Sequence, residues 1–301
     1  MTDMKTMERT ERICSYQGIC IPHPQLTQIS RRFDEMRTMV RATRGRQQKG
    51  ARILGPSGAG KSTIVKTYIA SQPVGPAGPE VSRPLVYVMP PTACTTKGLM
   101  ESILMALGDP FASKGTENAL RQRVNTYLTQ LRTELVFIDE IQHLVGKAGD
   151  KTTWRVTESL KLLLDDGAAA FVFLGVEEAS EIFDRNSQLK NRMLKPFDMG
   201  PMSALNQEQF KIFQGFVGLL QRDMISRGII SADSVDLLDS VMITGLHQAS
   251  RGLLGVAANI IEASLNEACD DGCMELEFDH VNRAIENWAI PHGFIKHNPF
   301  K

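Results

Sequence analysis

Two hydrophobic rhythms alternate through the first two hundred residues, and only one continues afterwards. Short apolar runs at 51–54, 85–89, 135–138, 168–174 and 195–199 have the length of strands. Between them, apolar residues recur at helical spacing. In 25–44 the residues Leu26, Ile29, Phe33, Met36 and Val40 share one face, and in 118–132 Leu120, Val124, Leu128 and Leu131 do the same. Further helices are expected at 63–71, up to Leu107 after the lead-in Thr95-Thr96-Lys97-Gly98 and with Gly108 as the stop, at 154–164, and as short pieces at 177–185 and 187–193. The run 135–138 is apolar throughout, which predicts a strand buried on both faces. Strand and helix in alternation predict an α/β fold with a parallel, doubly wound sheet. After Pro201 the strand-like runs stop. Helices are expected at 207–227, 231–242, 251–269 and 279–288. The expected organisation is a loosely held tail at 1–20, a core at 21–202, an all-helical subdomain at 203–289 and a flexible tail at 290–301.

The turn after the first strand holds Gly55, Pro56, Ser57, Gly58, Ala59, Gly60, Lys61, Ser62 and Thr63, which fit the phosphate-loop pattern G-x-x-x-x-G-K-[ST] at each fixed position. A glycine-rich turn between strand and helix lets backbone N–H groups close around phosphate oxygens, with the positive end of the helix dipole behind them. Lys61 is then placed to reach the β- and γ-phosphates, and the Ser62 hydroxyl to ligate Mg²⁺. The buried run 135–138 ends in Asp139 and Glu140, which match the Walker B form. A strand ending in acids is common by itself; it gains meaning downstream of a phosphate loop. Asp139 is expected to hold Mg²⁺, directly or through water, and Glu140 to act as general base on the attacking water. ATP and Mg²⁺ are the expected cofactors, since no N-K-x-D stretch that would read guanine follows.

Composition changes this picture little. At 301 residues with 42% hydrophobic content, the chain can bury a real core in about two domains. The 34 basic and 34 acidic residues cancel, so any basic surface must be local. One local excess exists: Arg31, Arg32, Arg37, Arg41, Arg44, Arg46, Lys49 and Arg52 face only Asp34 and Glu35. A solvated helix face, a phosphate-contacting patch and a subunit contact all fit it. The five cysteines are odd in number and lack paired zinc spacing, so reduced thiols and a cytoplasmic location are expected. No run approaches the ~20 apolar residues of a membrane span, and the polar start is unlike a secretory signal.

The order of these pieces resembles the AAA+ ATPases: phosphate loop, Walker B ending Asp-Glu, a further strand, then a helical lid. That resemblance implies an arginine finger acting in trans, at Arg192 with Arg185 as the fallback, and a lid arginine at Arg251. It also implies a polar sensor at the exit of the strand after Walker B, where this chain has Val176 followed by Glu177. His23 and Pro24 stand where related N-terminal segments pack against adenine.

The resemblance narrows further. The His23-Pro24 segment, the strand exit Phe173-Leu174-Gly175-Val176-Glu177-Glu178-Ala179, the Arg192 segment and the run Arg251-Gly252-Leu253-Leu254-Gly255 look like the TniB/TnsC group over about residues 20–290. These are ATP-dependent target-selection proteins of DNA transposons. The group implies ATP-driven assembly of rings or filaments around duplex DNA, recruitment of a transposase, and disassembly on hydrolysis. Targeting would come from a separate protein or guide complex. DNA contacts would be to phosphates, from Thr95, Thr96 and Lys97 before one helix and from Lys147, Lys151, Thr152 and Arg155 after Walker B; plain solvated loops fit the same residues. A replication initiator or helicase loader, and a signalling or secretion ATPase without DNA, are the rival classes.

Overall fold

The computed structural model describes residues 2–73, 82–144 and 150–301, with the side chains of 2–7, 150–153 and 198 left out. The chain divides into two compact units. One comprises Gln25–Ser57 and Lys61–Met199, the other Met1–Pro24, Gly58–Gly60 and Gly200–Lys301.

Along the chain, helix α1 spans Thr2–Gln17 and α2 Pro24–Thr43, followed by strand β1 at Ala51–Leu54 and α3 at Lys61–Ser71. Then come β2 (Leu85–Val88), α4 (Thr96–Leu107), α5 (Glu117–Gln130), β3 (Leu135–Ile138), a 3₁₀ turn at Ile141–Leu144 and α6 (Asp150–Asp165). β4 (Ala170–Gly175), a 3₁₀ turn at Glu177–Ala179, α7 (Ser180–Asp184), α8 (Ser187–Arg192) and β5 (Phe197–Asp198) complete the α/β part. The rest is helical: α9 (Gln207–Ser226), α10 (Ser240–Ser250), α11 (Leu254–Asp271), α12 (Phe278–Ala284) and a π-helical turn at Ile285–Ala289.

The strands pair parallel in the order β2-β3-β4-β1-β5. β3 and β4 are buried along their whole length, as continuous apolar runs require, whereas β1 and β2 alternate. Successive side chains serve opposite faces. Val136, Ile138, Phe171 and Phe173 join one core with Leu99 and Ile103 of α4 and Leu160 and Leu164 of α6. Phe137 points the other way, 5.1 Å from the ring of Phe33 on α2, which lies 5.0 Å from Tyr68 on α3. Each of these buried aromatics contributes about 2–3 kcal/mol of burial. The doubly wound α/β expectation is therefore met. Because β4 sits between β1 and β3, it separates the strand that leads into the phosphate loop from the strand that delivers Asp139.

The helical unit has its own core, built from Phe213, Val217, Leu220 and Met224 of α9 and Ile260, Ile261 and Leu265 of α11. Three expectations fail in this unit. Residues 1–20 are not a loose tail but carry α1, which the buried Arg12 ties to the carbonyls of Ile229 (2.8 Å) and Cys273 (2.9 Å) and Tyr16 ties to Ala258 O (2.6 Å). A polar sequence hides this helix because its anchors are hydrogen bonds as much as apolar contacts. Residues 290–301 are likewise ordered: Asn298 bonds Asn282 at 2.8 Å and the Phe300 ring sits 4.9 Å from Phe278. Finally, 231–239 is a run of turns rather than helix. The side chains of Ser231, Asp236 and Asp239 accept backbone N–H groups two residues on, which competes with helix formation, and Asp239 then caps α10.

Candidate functional site

The phosphate-loop sequence forms the turn its glycines allow. Gly58 and Gly60 take φ of +78° and +84°, a region costly for other residues. A Cβ added at Gly60 would meet no atom within 4 Å, so the backbone there borders open space that a ligand could fill. Lys61 opens α3 and is 8% exposed. Its ammonium donates to the carbonyls of Gly55 (2.9 Å) and Pro56 (2.8 Å). Burial pulls its pKa down, and the charges of Glu140, Asp139 and Glu177 act in the opposite sense. An ammonium held this way gains from an added anion.

Asp139 is 1% exposed and fully engaged. Its Oδ2 accepts the Ser62 hydroxyl at 2.5 Å and also the Tyr87 hydroxyl, and its Oδ1 accepts the Glu140 N–H at 2.8 Å. Burial, reinforced by the bond to Asp139, raises the Tyr87 phenol pKa. A hydroxyl and a carboxylate side by side are hard oxygen donors of the kind Mg²⁺ takes, so Ser62 and Asp139 fit that ion. Glu140 has φ +52°, one of four non-glycine residues in the left-handed region among the described residues. That conformation costs about 1–3 kcal/mol and concentrates at functional sites. Sequence reasoning missed Tyr87 and Gln142, whose amide donates to the Glu140 carboxylate. A hydroxyl-tipped aromatic on the strand beside Walker B is a faint signal for the first; for Gln142 there is none.

Other sequence-singled residues are placed differently. Arg192 does not project freely: its guanidinium makes a two-pronged pair with Asp165 (2.7 and 3.2 Å) and bonds Gln188 O at 2.7 Å. Arg185, which caps the C-terminus of α7, pairs with Glu181 of that helix. Arg251 does not open a helix; it is the left-handed C-cap of α10 with φ +54°, followed by Gly252 at +73°, and α11 begins only at Leu254. Two consecutive left-handed residues cannot continue a right-handed helix. Thr96 and Lys97 lie in the first turn of α4, capped by Thr95, with Lys97 3.5 Å from Glu101. Lys147 falls outside the described residues. Lys151 and Thr152 lie on the backbone of α6, their side chains outside the description, so the post-Walker-B loop ends earlier than expected and Arg155 is an exposed helical residue. The His23 ring meets Phe216 edge-on at 6.1 Å. Val176 keeps its apolar side chain where a polar one was expected, but its N–H donates to Gln142 Oε1 at 3.3 Å.

Much of the basic run is structural. Arg37 (2.6 Å) and Arg41 (3.0 Å) converge on Glu134, Arg44 bonds the carbonyls of Thr133 and Ala168, and Arg52 lies over the Phe183 ring at 5.5 Å. Among the described residues no cluster of histidine, cysteine and acids could hold a metal, and no helix is long and apolar enough to cross a membrane.

A parallel sheet with a phosphate loop after β1 and an Asp-Glu pair after β3, followed by a helical unit, is the AAA+ form of the P-loop NTPase fold. Solved structures share it at low identity. Cdc6p from Pyrobaculum aerophilum matches with a TM-score of 0.60 and 16% identity, covering 91% of this chain and 70% of that one. The Aeropyrum pernix ORC2 protein, solved as ADPNP-ADP complexes, gives 0.62 and 13%, covering 91% and 70%. The Aeropyrum pernix ORC1 protein in complex with DNA gives 0.59 and 17%, covering 89% and 66%. These likenesses establish the fold. No curated protein matches the chain. The family described as "Bacterial TniB protein" matches residues 15–200, and the chain belongs to this family of TniB/TnsC-type AAA+ ATPases.

Proposed function

We propose that this protein is a Mg²⁺-dependent ATPase that assembles on duplex DNA, recruits a transposase to the target and leaves the DNA on hydrolysis. The observation that carries the ATPase reading is the contact of Ser62 with Asp139 at 2.5 Å, next to the buried Lys61. Membership of the TniB family supports the transposition role.

In this reading residues 55–63 cradle the phosphates, with Lys61 exchanging the Gly55 and Pro56 carbonyls for phosphate oxygens. Ser62 and Asp139 hold Mg²⁺, which neutralises phosphate charge when bound. Tyr87 keeps the Asp139 carboxylate oriented through its hydroxyl. Glu140 takes the proton of the attacking water. Arg192 serves a neighbouring copy only by exchanging Asp165 for phosphate, and Arg251 is the candidate lid contact. DNA phosphates are met by Lys97, Arg155 and the lysines at 147 and 151 of each copy, their weak contacts summing along an assembly.

The test is negative-stain microscopy with ATP or a slowly hydrolysed analogue, with and without duplex DNA. Rings or filaments needing both ligands are expected, and Glu140→Gln should accumulate them, since nucleotide binding survives while water activation is lost. Protein that stays monomeric with nucleotide, Mg²⁺ and DNA all saturating refutes the reading. The Cdc6 and ORC likeness supports a second reading, a replication-initiator-like ATPase. DNA-dependent assembly without capture of a transposase would favour it.

A further inference from the structure

Gln142 lies in the 3₁₀ turn that follows Glu140 and joins two groups that are 36 residues apart in sequence (140 and 176). Its Nε2 donates to the Glu140 carboxylate, and its Oε1 accepts the Val176 N–H at 3.3 Å. A carboxylate can only accept and a peptide N–H can only donate, so the two partners together fix which way the amide points. The fit is close. A Cβ at Gly175 would come 2.6 Å from Gln142 Oε1 and 2.8 Å from Ile141 Cγ2, so the last residue of β4 must be glycine for the amide to lie against it. Gly175 is not in a left-handed conformation; what is required there is space.

The backbone of Glu140 is held from the other side, by its N–H to Asp139 Oδ1 at 2.8 Å and by its left-handed φ. Its side chain has three rotatable bonds, and fixing such a chain costs up to about 2 kcal/mol of rotamer freedom. A hydrogen bond from a group that is itself tied to the exit of β4 removes that freedom before any reaction begins. We infer that Gln142 is a positioning residue for Glu140, holding its carboxylate in a set place relative to the end of β4. This rests on Glu140 being the general base. It also accounts for Val176: the main-chain N–H at that position makes the link, so an apolar side chain there is no loss.

The test compares single-turnover and steady-state ATP hydrolysis in Gln142→Ala and Gln142→Met, with nucleotide Kd measured by a fluorescent ATP analogue. Met fills nearly the same volume but can neither donate to Glu140 nor accept from Val176. Both variants should lose about tenfold or more in kcat, since misplaced catalytic groups cost on that scale, with Kd unchanged within about twofold. Rates restored in Gln142→Met but not in Gln142→Ala would mean that packing alone matters and would overturn the inference. Parent kcat in both variants would overturn it too. The control is Glu140→Gln: hydrolysis lost there but intact in the Gln142 variants rejects the positioning role and leaves the base assignment standing. Parent-rate hydrolysis in Glu140→Gln rejects the base assignment itself.

Discussion

Two charged regions of the α/β unit use similar residues to opposite ends. Along α2 and the segment into β1, the basic excess that stands out in the sequence is largely consumed inside the fold: Arg37 and Arg41 on Glu134, Arg44 on two carbonyls, Arg52 on Phe183 and Asp184. Around Lys61 the charges are fewer, yet they are buried with hydroxyls and carboxylates gathered beside a turn that borders open space. A run of charge is therefore a poor guide to a site. Whether the charges find partners within the chain decides what they do, and that is settled by packing rather than by count.

The contrast predicts that one region answers to ligand and the other to stability. Lys61→Ala should weaken ATP binding by about 100-fold, the scale of lost charge-assisted hydrogen bonds, while changing unfolding free energy by less than about 1 kcal/mol, because its burial already disfavours the charge. Isothermal calorimetry and urea unfolding read the two quantities. A large stability loss with nucleotide affinity intact would erase the distinction. Glu134→Ala should do the reverse, costing about 2 kcal/mol of stability with no change in ATP affinity. That is below the usual toll for breaking a buried pair, because Arg41 is half exposed and Arg37 keeps Tyr68 as a partner. Tyr87→Phe should have the smallest effect and sharpen the comparison most. It removes one donor to Asp139, so Mg²⁺-dependent nucleotide affinity should fall by about fivefold and stability by about 1 kcal/mol. Loss confined to stability would make Tyr87 a packing residue only.

The likeness of the α/β part to its sequence expectation has a physical basis. Its strands are buried on both faces or on alternating faces, so hydrophobic period alone finds them, and the phosphate loop needs glycine wherever φ is positive. Where the reading failed, the stabilising contacts were polar and distant in sequence. Helix α1 is held by Arg12 and Tyr16 reaching carbonyls more than 200 residues away, and Phe300 closes on Phe278 from a stretch without periodicity. The helix expected at 231–242 lost residues 231–239 to serine and aspartate side chains that bond their own backbone.

The sequence by itself determined the strands, most of the helices and the candidate-site stretches, the phosphate loop and Asp139-Glu140, because those depend on local pattern and on backbone conformations that few residues tolerate. Only the tertiary structure decided that β4 lies between β1 and β3, that Tyr87 and Gln142 flank the acids, and that Arg192 is paired with Asp165. Those facts depend on which segments become neighbours when the sheet forms. That choice is made by the packing of the two faces of the sheet, and no single stretch of chain encodes it.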